Sequence, residues 1–123
     1  MNVTYIELAG KKHPLCFSLA VSEKLDEAFG GLENMQDELD SKSISRISKA
    51  VDIVLAALIE AGRVYMTACG EGETLPPRLT CRPVDLLDVR DKTVIGTVLA
   101  AIKGDNAREV ETVTKNGEAT QGL

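Results

Sequence analysis

The chain contains 123 residues, a length typical of one domain, and 44% of them are hydrophobic. Its 19 acidic and 14 basic side chains give a formal net charge of -5, which argues against a protein that binds DNA or RNA through its overall charge. Aromatic residues make up only 3% of the chain, so we expect a core of Leu, Ile, Val and Ala packed between helices.

The first residues predict a β-hairpin over 2–19. Residues 2–8 and 13–19 both alternate between apolar and polar side chains, and residues 9–12 supply a loop of about four residues. The apolar side chains expected to share the inward face are Ile6, Leu8, Leu15, Phe17 and Leu19. An isolated hairpin is only marginally stable in water, so we expect this one to pack on helices.

Apolar side chains recur at helical spacing in several later segments. These predict helices at about 22–29, 32–39, 43–62, 83–89 and 91–103. The long helix is expected to begin after Ser43, which can cap it, and to end at Gly62. Between Ile53 and Ile59 the apolar residues surround nearly the whole helix, which is typical of a central helix with neighbours on several sides.

The domain organisation follows from these elements. We expect one globular domain over 1–104, whereas 105–123 has no apolar periodicity and predicts a flexible tail. The structure of 64–82 stays open, because 64–69 fits either a continued helix or an extended segment, and 70–77 has the composition of a loop. The predicted fold class is α+β, mostly α-helical, with an N-terminal β-hairpin packed on a helical domain.

Few residues are suited to catalysis or metal binding. His13 is the only histidine, and its place beside a turn predicts a histidine at the surface or at a strand end. Cys16, Cys69 and Cys81 lack the close pairs of a structural zinc site, so we expect them to be small buried hydrophobic residues. We therefore expect no enzyme and no catalytic, cofactor or metal site.

The N-terminal residues show no basic start followed by an apolar run, as a signal peptide would. The longest apolar run, 53–59, is far shorter than the roughly 20 residues that a membrane span needs. The three cysteines form no disulfide-framework spacing. Together these features predict a reduced, soluble, cytosolic protein with no membrane partner.

The opening segment carries a recognisable pattern. A strand is followed by Gly-Lys-Lys-His-Pro-Leu at 10–15, by Phe-Ser-Leu at 17–19, and by a helix closed by Phe-Gly-Gly-Leu at 29–32. This pattern resembles the tail assembly chaperones of long-tailed bacteriophages and prophages, in which a similar turn enters the second strand. The order and size of the later helices agree, so the resemblance covers about 3–103, with its motif in 3–32.

The resemblance implies a chaperone that coats the tape-measure protein, a long and helix-rich polypeptide, in the bacterial cytoplasm. It would be absent from the mature virion, would need no cofactor, and would associate weakly with further copies of itself. Coating a helix requires an apolar surface, although wide apolar stripes are also normal in a core. The residues expected to bind the partner are Val94, Ile95, Val98, Leu99 and Ile102, with less weight on Leu32, Met35 and Leu39.

Two other classes stay open. A structural tail-completion or head–tail connector protein would share the lack of catalysis but would remain in the virion. A helical DNA-associated regulator would need several cations on one helix face, where the last predicted helix offers only Arg90, Lys92 and Lys103. Presence in purified virions would distinguish a connector from a chaperone.

Overall fold

A computed structural model describes residues 1–91 and 93–103 of the chain. In this part an N-terminal antiparallel hairpin packs on a set of α-helices, which confirms the predicted α+β class. The elements are β1 (Thr4–Leu8), β2 (Lys11–Leu15), α1 (Leu19–Phe29), α2 (Leu32–Leu39), α3 (Ile44–Ala68), a 3-10 turn (Gly72–Thr74), a second 3-10 turn (Pro83–Leu86) and α4 (Thr93–Lys103). The predicted tail at 105–123 lies outside the described residues.

The hairpin turn is tighter than the sequence predicted. Leu8 lies opposite Lys11, so only Ala9 and Gly10 connect the strands. Both have positive φ, 52° and 79°, as the type I′ turn that suits the twist of a hairpin requires. Because the turn is short, β2 begins at Lys11 and ends at Leu15, well before the predicted end of the strand.

After β2 the chain forms a short connecting segment, 16–18, and then a helix, in place of the predicted continuation of the strand. The Ser18 hydroxyl accepts a hydrogen bond from the Val21 amide at 3.4 Å, so α1 begins at Leu19, three residues before the predicted start. Leu19 is 81% exposed, and its predicted place on the inward face of the hairpin is wrong. Phe17 is partly buried and packs against the core from the connecting segment.

The central helix α3 continues past Gly62 to Ala68, so the predicted helix end at Gly62 is wrong. A Cβ atom at Gly62 would lie 2.5 Å from the Pro14 carbonyl carbon and 3.1 Å from the Leu15 amide nitrogen. The Cys16 amide, just beyond β2, also donates to the Leu58 carbonyl oxygen at 3.3 Å. Gly62 therefore allows the backbone of β2 to lie directly on α3.

The core forms one cluster around α3. This helix contacts β2, α1, α2, the second 3-10 turn and α4, which confirms the prediction of a central helix with neighbours on several sides. Helix α4 also packs against β1. The largest apolar side chains that are almost fully buried include Leu8, Leu15, Leu25, Leu39, Leu55, Leu58 and Val98.

The segment before α4 is mostly irregular. The helix predicted over 83–89 is a single 3-10 turn, because Leu87 has an extended backbone that ends it. The predicted start of the last helix near Asp91 is close to that observed. The Asp91 carboxylate accepts hydrogen bonds from the amide and hydroxyl of Thr93, at 2.9 and 2.7 Å, where α4 begins.

Candidate partner-binding groove

An apolar groove lies between the first half of α3, the second 3-10 turn with the loop after it, and the start of α4. Its volume is about 360 Å³. The apolar residues that line it are Ile44, Ile47, Val51, Val84, Leu87, Val89, Val94 and Ile95. Two stretches distant in sequence, 44–51 and 84–95, thus contribute to one apolar surface.

The groove has a buried floor and exposed walls. Val51 and Val94 belong to the buried core, whereas Ile44 and Val89 are 64% and 73% exposed. Large apolar side chains that are strongly exposed and grouped around a concave surface mark a binding site more often than scattered ones do. The groove can therefore accept apolar side chains of a partner without any change in the core.

Two carboxylates also line the groove. Asp88 forms an ion pair with Arg90 at 2.9 Å, and the Arg90 hydrogen bonds lower the pKa of the Asp88 carboxyl. The hydrogen bonds from Thr93 lower the pKa of the Asp91 carboxyl in the same way. Both groups are ionised at neutral pH, but Arg90 balances the charge of Asp88, so it is the Asp91 carboxylate that gives this side of the groove a negative charge.

The residues predicted to bind a partner do not share one surface. The structure buries Val98, Met35 and Leu39 in the core, so these side chains are not available at the surface, and it also buries Val94, which contributes only to the floor of the groove. Three further residues of the predicted set are partly buried and pack against the core: Ile95, Leu99 and Ile102. Leu32, at the start of α2, is 42% exposed. Of all the residues predicted to bind a partner, only Val94 and Ile95 line the groove.

The groove residues that the sequence did not single out lie on α3 and in the loop. Ile44 and Ile47 lie at helical spacing at the start of the segment predicted as the central helix, and an apolar stripe of this kind indicates a core. Val89 is the last residue of the helix predicted over 83–89, and in the structure it lies in the irregular segment after the second 3-10 turn. The only local signal for exposure was the position of Ile44 before the continuous apolar run of α3.

A second cavity, of about 210 Å³, lies between β2, α3 and residues 78–83. Its lining includes His13, which is only 2% exposed, so the predicted surface position of this histidine is wrong. His13 lies opposite Ile6 in the hairpin, and paired residues share the face that packs on the core. Burial, and secondly the charge of Arg63, lower the pKa of the His13 imidazole.

The three cysteines lie in different environments. Cys16 is buried, as predicted, and burial raises the pKa of its thiol to about 11. Cys69 and Cys81 are exposed, so the prediction that they are buried is wrong for both. Cys69 follows the end of α3, and Cys81 lies two residues before the second 3-10 turn.

Within residues 1–91 and 93–103, no three His, Cys, Asp or Glu side chains form a group that could hold a metal ion. Among the helices of these residues, none combines the length and apolar character needed to cross a bilayer. No protein-family model matches the chain, and no curated protein or solved structure shows significant similarity to it.

Proposed function

We propose that this protein is a tail assembly chaperone of a bacteriophage or prophage, without catalytic activity, that binds the tape-measure protein in the host cytoplasm. The resemblance of residues 3–32 supports the family. The observation that carries the binding function is the apolar groove with its exposed Ile44 and Val89. The protein keeps its partner soluble until the tail tube forms and is then released.

The occupant of the groove is an amphipathic helical segment of the tape-measure protein. Helices dock in apolar grooves through side chains spaced three or four residues apart, which the walls formed by α3 and α4 can receive. The Asp91 carboxylate, unlike Asp88 with its Arg90 partner, favours segments that carry Lys or Arg beside the apolar stripe. This combination of apolar anchors and flanking cations defines the sequences that the chaperone selects.

Each groove is small, so one copy binds weakly. Many copies along one long partner cover its apolar stripe together, and weak contacts between adjacent copies add to their hold on it. Weak individual binding also allows the tail tube to displace the copies one after another. The bound copies together therefore hold the partner firmly, although each single copy can still be removed.

The test is co-expression with the tape-measure protein from the same genome, followed by measurement of the soluble fraction and of co-purification. Val89→Asp places a charge in the groove at an exposed position, so we expect a folded protein that no longer keeps the partner soluble. Ile44→Asp tests the opposite wall. Val64→Asp is the matched control, because Val64 is 60% exposed on α3 but does not line the groove.

The outcomes test two claims separately: that the groove is the binding surface, and that the protein is a chaperone. Wild-type protein and Val64→Asp should hold many copies on each soluble tape-measure chain, and both groove variants should fail. Groove variants as effective as wild type would show that another surface binds the partner. Failure of the wild type itself would refute the chaperone function, and detection of the protein in purified virions would then favour a tail-completion or connector protein.

A further inference from the structure

The cavity between β2, α3 and residues 78–83 carries a second, independent inference. Its lining contains three groups that donate hydrogen bonds or carry positive charge, His13, Arg63 and Arg78, together with the carboxylate of Glu60. We propose that this cavity is a binding site for a small oxyanion with the chemistry of sulfate, phosphate or a carboxylate. The proposal does not depend on the tape-measure protein.

The histidine provides the first argument. Both ring nitrogens of His13 are buried, and neither has a hydrogen-bond partner within the described residues. Buried polar groups in native proteins almost always form hydrogen bonds, so an imidazole that lines a cavity without a partner indicates a ligand in that cavity. A protonated ring nitrogen of His13 would donate to an oxygen atom of the ligand.

The arginines provide the charge. Arg63 donates through Nη1 to the Pro76 carbonyl oxygen at 2.6 Å, which fixes the guanidinium, while its buried Nε has no partner within the described residues. Arg78 forms an ion pair with Glu60 at 2.5 Å. Two guanidinium groups and one carboxylate leave the lining with a net positive charge, which a bound anion would balance.

The cavity selects by size and by donor geometry. At about 210 Å³ it is smaller than pockets for drug-sized ligands, which begin at about 300 Å³, so a small ion is the suitable occupant. Guanidinium groups match the oxygen atoms of carboxylates and phosphates with paired donors. Glu60 stays paired with Arg78, which leaves the Arg63 Nε and the His13 ring to contact the anion directly.

The single histidine of the chain gives a direct measurement. Sodium sulfate is titrated into the full-length protein at constant ionic strength, with sodium chloride as the balancing salt, and the His13 ring signals are followed by NMR. We expect a saturable shift. The pH midpoint of the ring signals should also rise with sulfate, because a bound anion offsets the positive charges of Arg63 and Arg78 and so stabilises the imidazolium. The other titratable groups of the lining are Glu60 and Cys81.

Sodium acetate forms the second arm of the experiment. Saturation by sulfate alone would assign the site to tetrahedral oxyanions, and saturation by acetate alone would assign it to carboxylates. Either result supports the proposal. If neither anion shifts the His13 signals saturably, the cavity holds water and the proposal is refuted.

Variants locate the binding site. Arg63→Gln should weaken binding at least tenfold, and Arg78→Gln, at a side chain that is 66% exposed, provides a second variant if Arg63→Gln does not fold. Arg46→Gln is the control, because Arg46 pairs with Glu38 on the surface, away from the cavity. Equal binding by Arg78→Gln, Arg63→Gln and the control would place the anion elsewhere and overturn the proposal.

Discussion

Replacement of Gly62 by alanine tests the contact that joins the hairpin to the central helix. Alanine favours a helix interior by about 1 kcal/mol over glycine. The new Cβ would lie 2.5 Å from the Pro14 carbonyl carbon, however, and backbone atoms cannot rotate away as a side chain can. Overpacking of this kind costs about 1–3 kcal/mol.

Relief of that overlap would move β2 away from α3. The hydrogen bond from the Cys16 amide to the Leu58 carbonyl oxygen, already 3.3 Å long, would then be lost at a cost of about 1 kcal/mol. After subtraction of the gain in helix propensity, we expect Gly62→Ala to lower the free energy of unfolding by about 2 kcal/mol. The sign is opposite to that expected from propensity alone.

The matched control is Gly96→Ala in α4. Gly96 is exposed, and a Cβ there would meet no atom within 4 Å, so we expect a gain of about 0.5–1 kcal/mol. Urea denaturation followed by circular dichroism measures both variants, and a 2 kcal/mol loss should lower the midpoint by about 1 M. If Gly62→Ala were as stabilising as Gly96→Ala, β2 would not lie on α3 as described.

Two further predictions concern titratable side chains. Because Cys16 is buried, with the pKa of its thiol raised to about 11, a thiol reagent at about pH 8 should react rapidly only with Cys69 and Cys81 in the native protein. The third thiol should react after denaturation, and three fast thiols in native protein would contradict the burial of Cys16. Folding lowers the pKa of His13, so below about pH 6.5 the unfolded chain binds more protons than the folded one, and stability falls as the pH falls. In bis-tris chloride buffer, free of oxyanions, the wild type should lose more stability than His13→Gln between about pH 7.5 and 5.5. Urea midpoints measure this difference, and equal losses would show that His13 is not buried in its neutral form.

Features set by local chemistry could be predicted from the sequence. The bounds of α2 agree with the prediction. Helix α3 begins after Ser43, as predicted, and the Ser43 hydroxyl accepts a hydrogen bond from the Arg46 amide at 3.3 Å. Both follow from apolar spacing and capping residues, which act within a few positions. The alternation of β-forming residues likewise identified the hairpin.

Gly62 and His13 show where local chemistry is insufficient. A glycine after a helical run can end the helix or allow close packing, and here only the approach of Pro14 decides between them. A histidine beside a turn is usually exposed, but the register that places His13 opposite Ile6 turns it towards the core. In both cases the deciding neighbour is remote in sequence.

The candidate groove also forms only because residues remote in sequence come together in the fold. The spacing in α4 pointed to a wide apolar face that includes Val94 and Ile95, and part of that face does line the groove. The opposite wall comes from Ile44, and the loop supplies Val89, which the sequence placed at the end of a helix that the structure does not form. Because Val98 at the middle of α4 is fully buried, a charge there would test the core and not the binding surface.

The packing of α4 on β1 has a consequence for the order of events during synthesis. β1 leaves the ribosome early, but the helix that covers it is the last element of the described chain to emerge. Until then the apolar side chains of β1 lack part of their cover, and the nascent chain can be recognised by general folding factors. Contacts between such remote segments also slow folding relative to a bundle of sequential helices. The core of the described domain is thus completed only after α4 has been made.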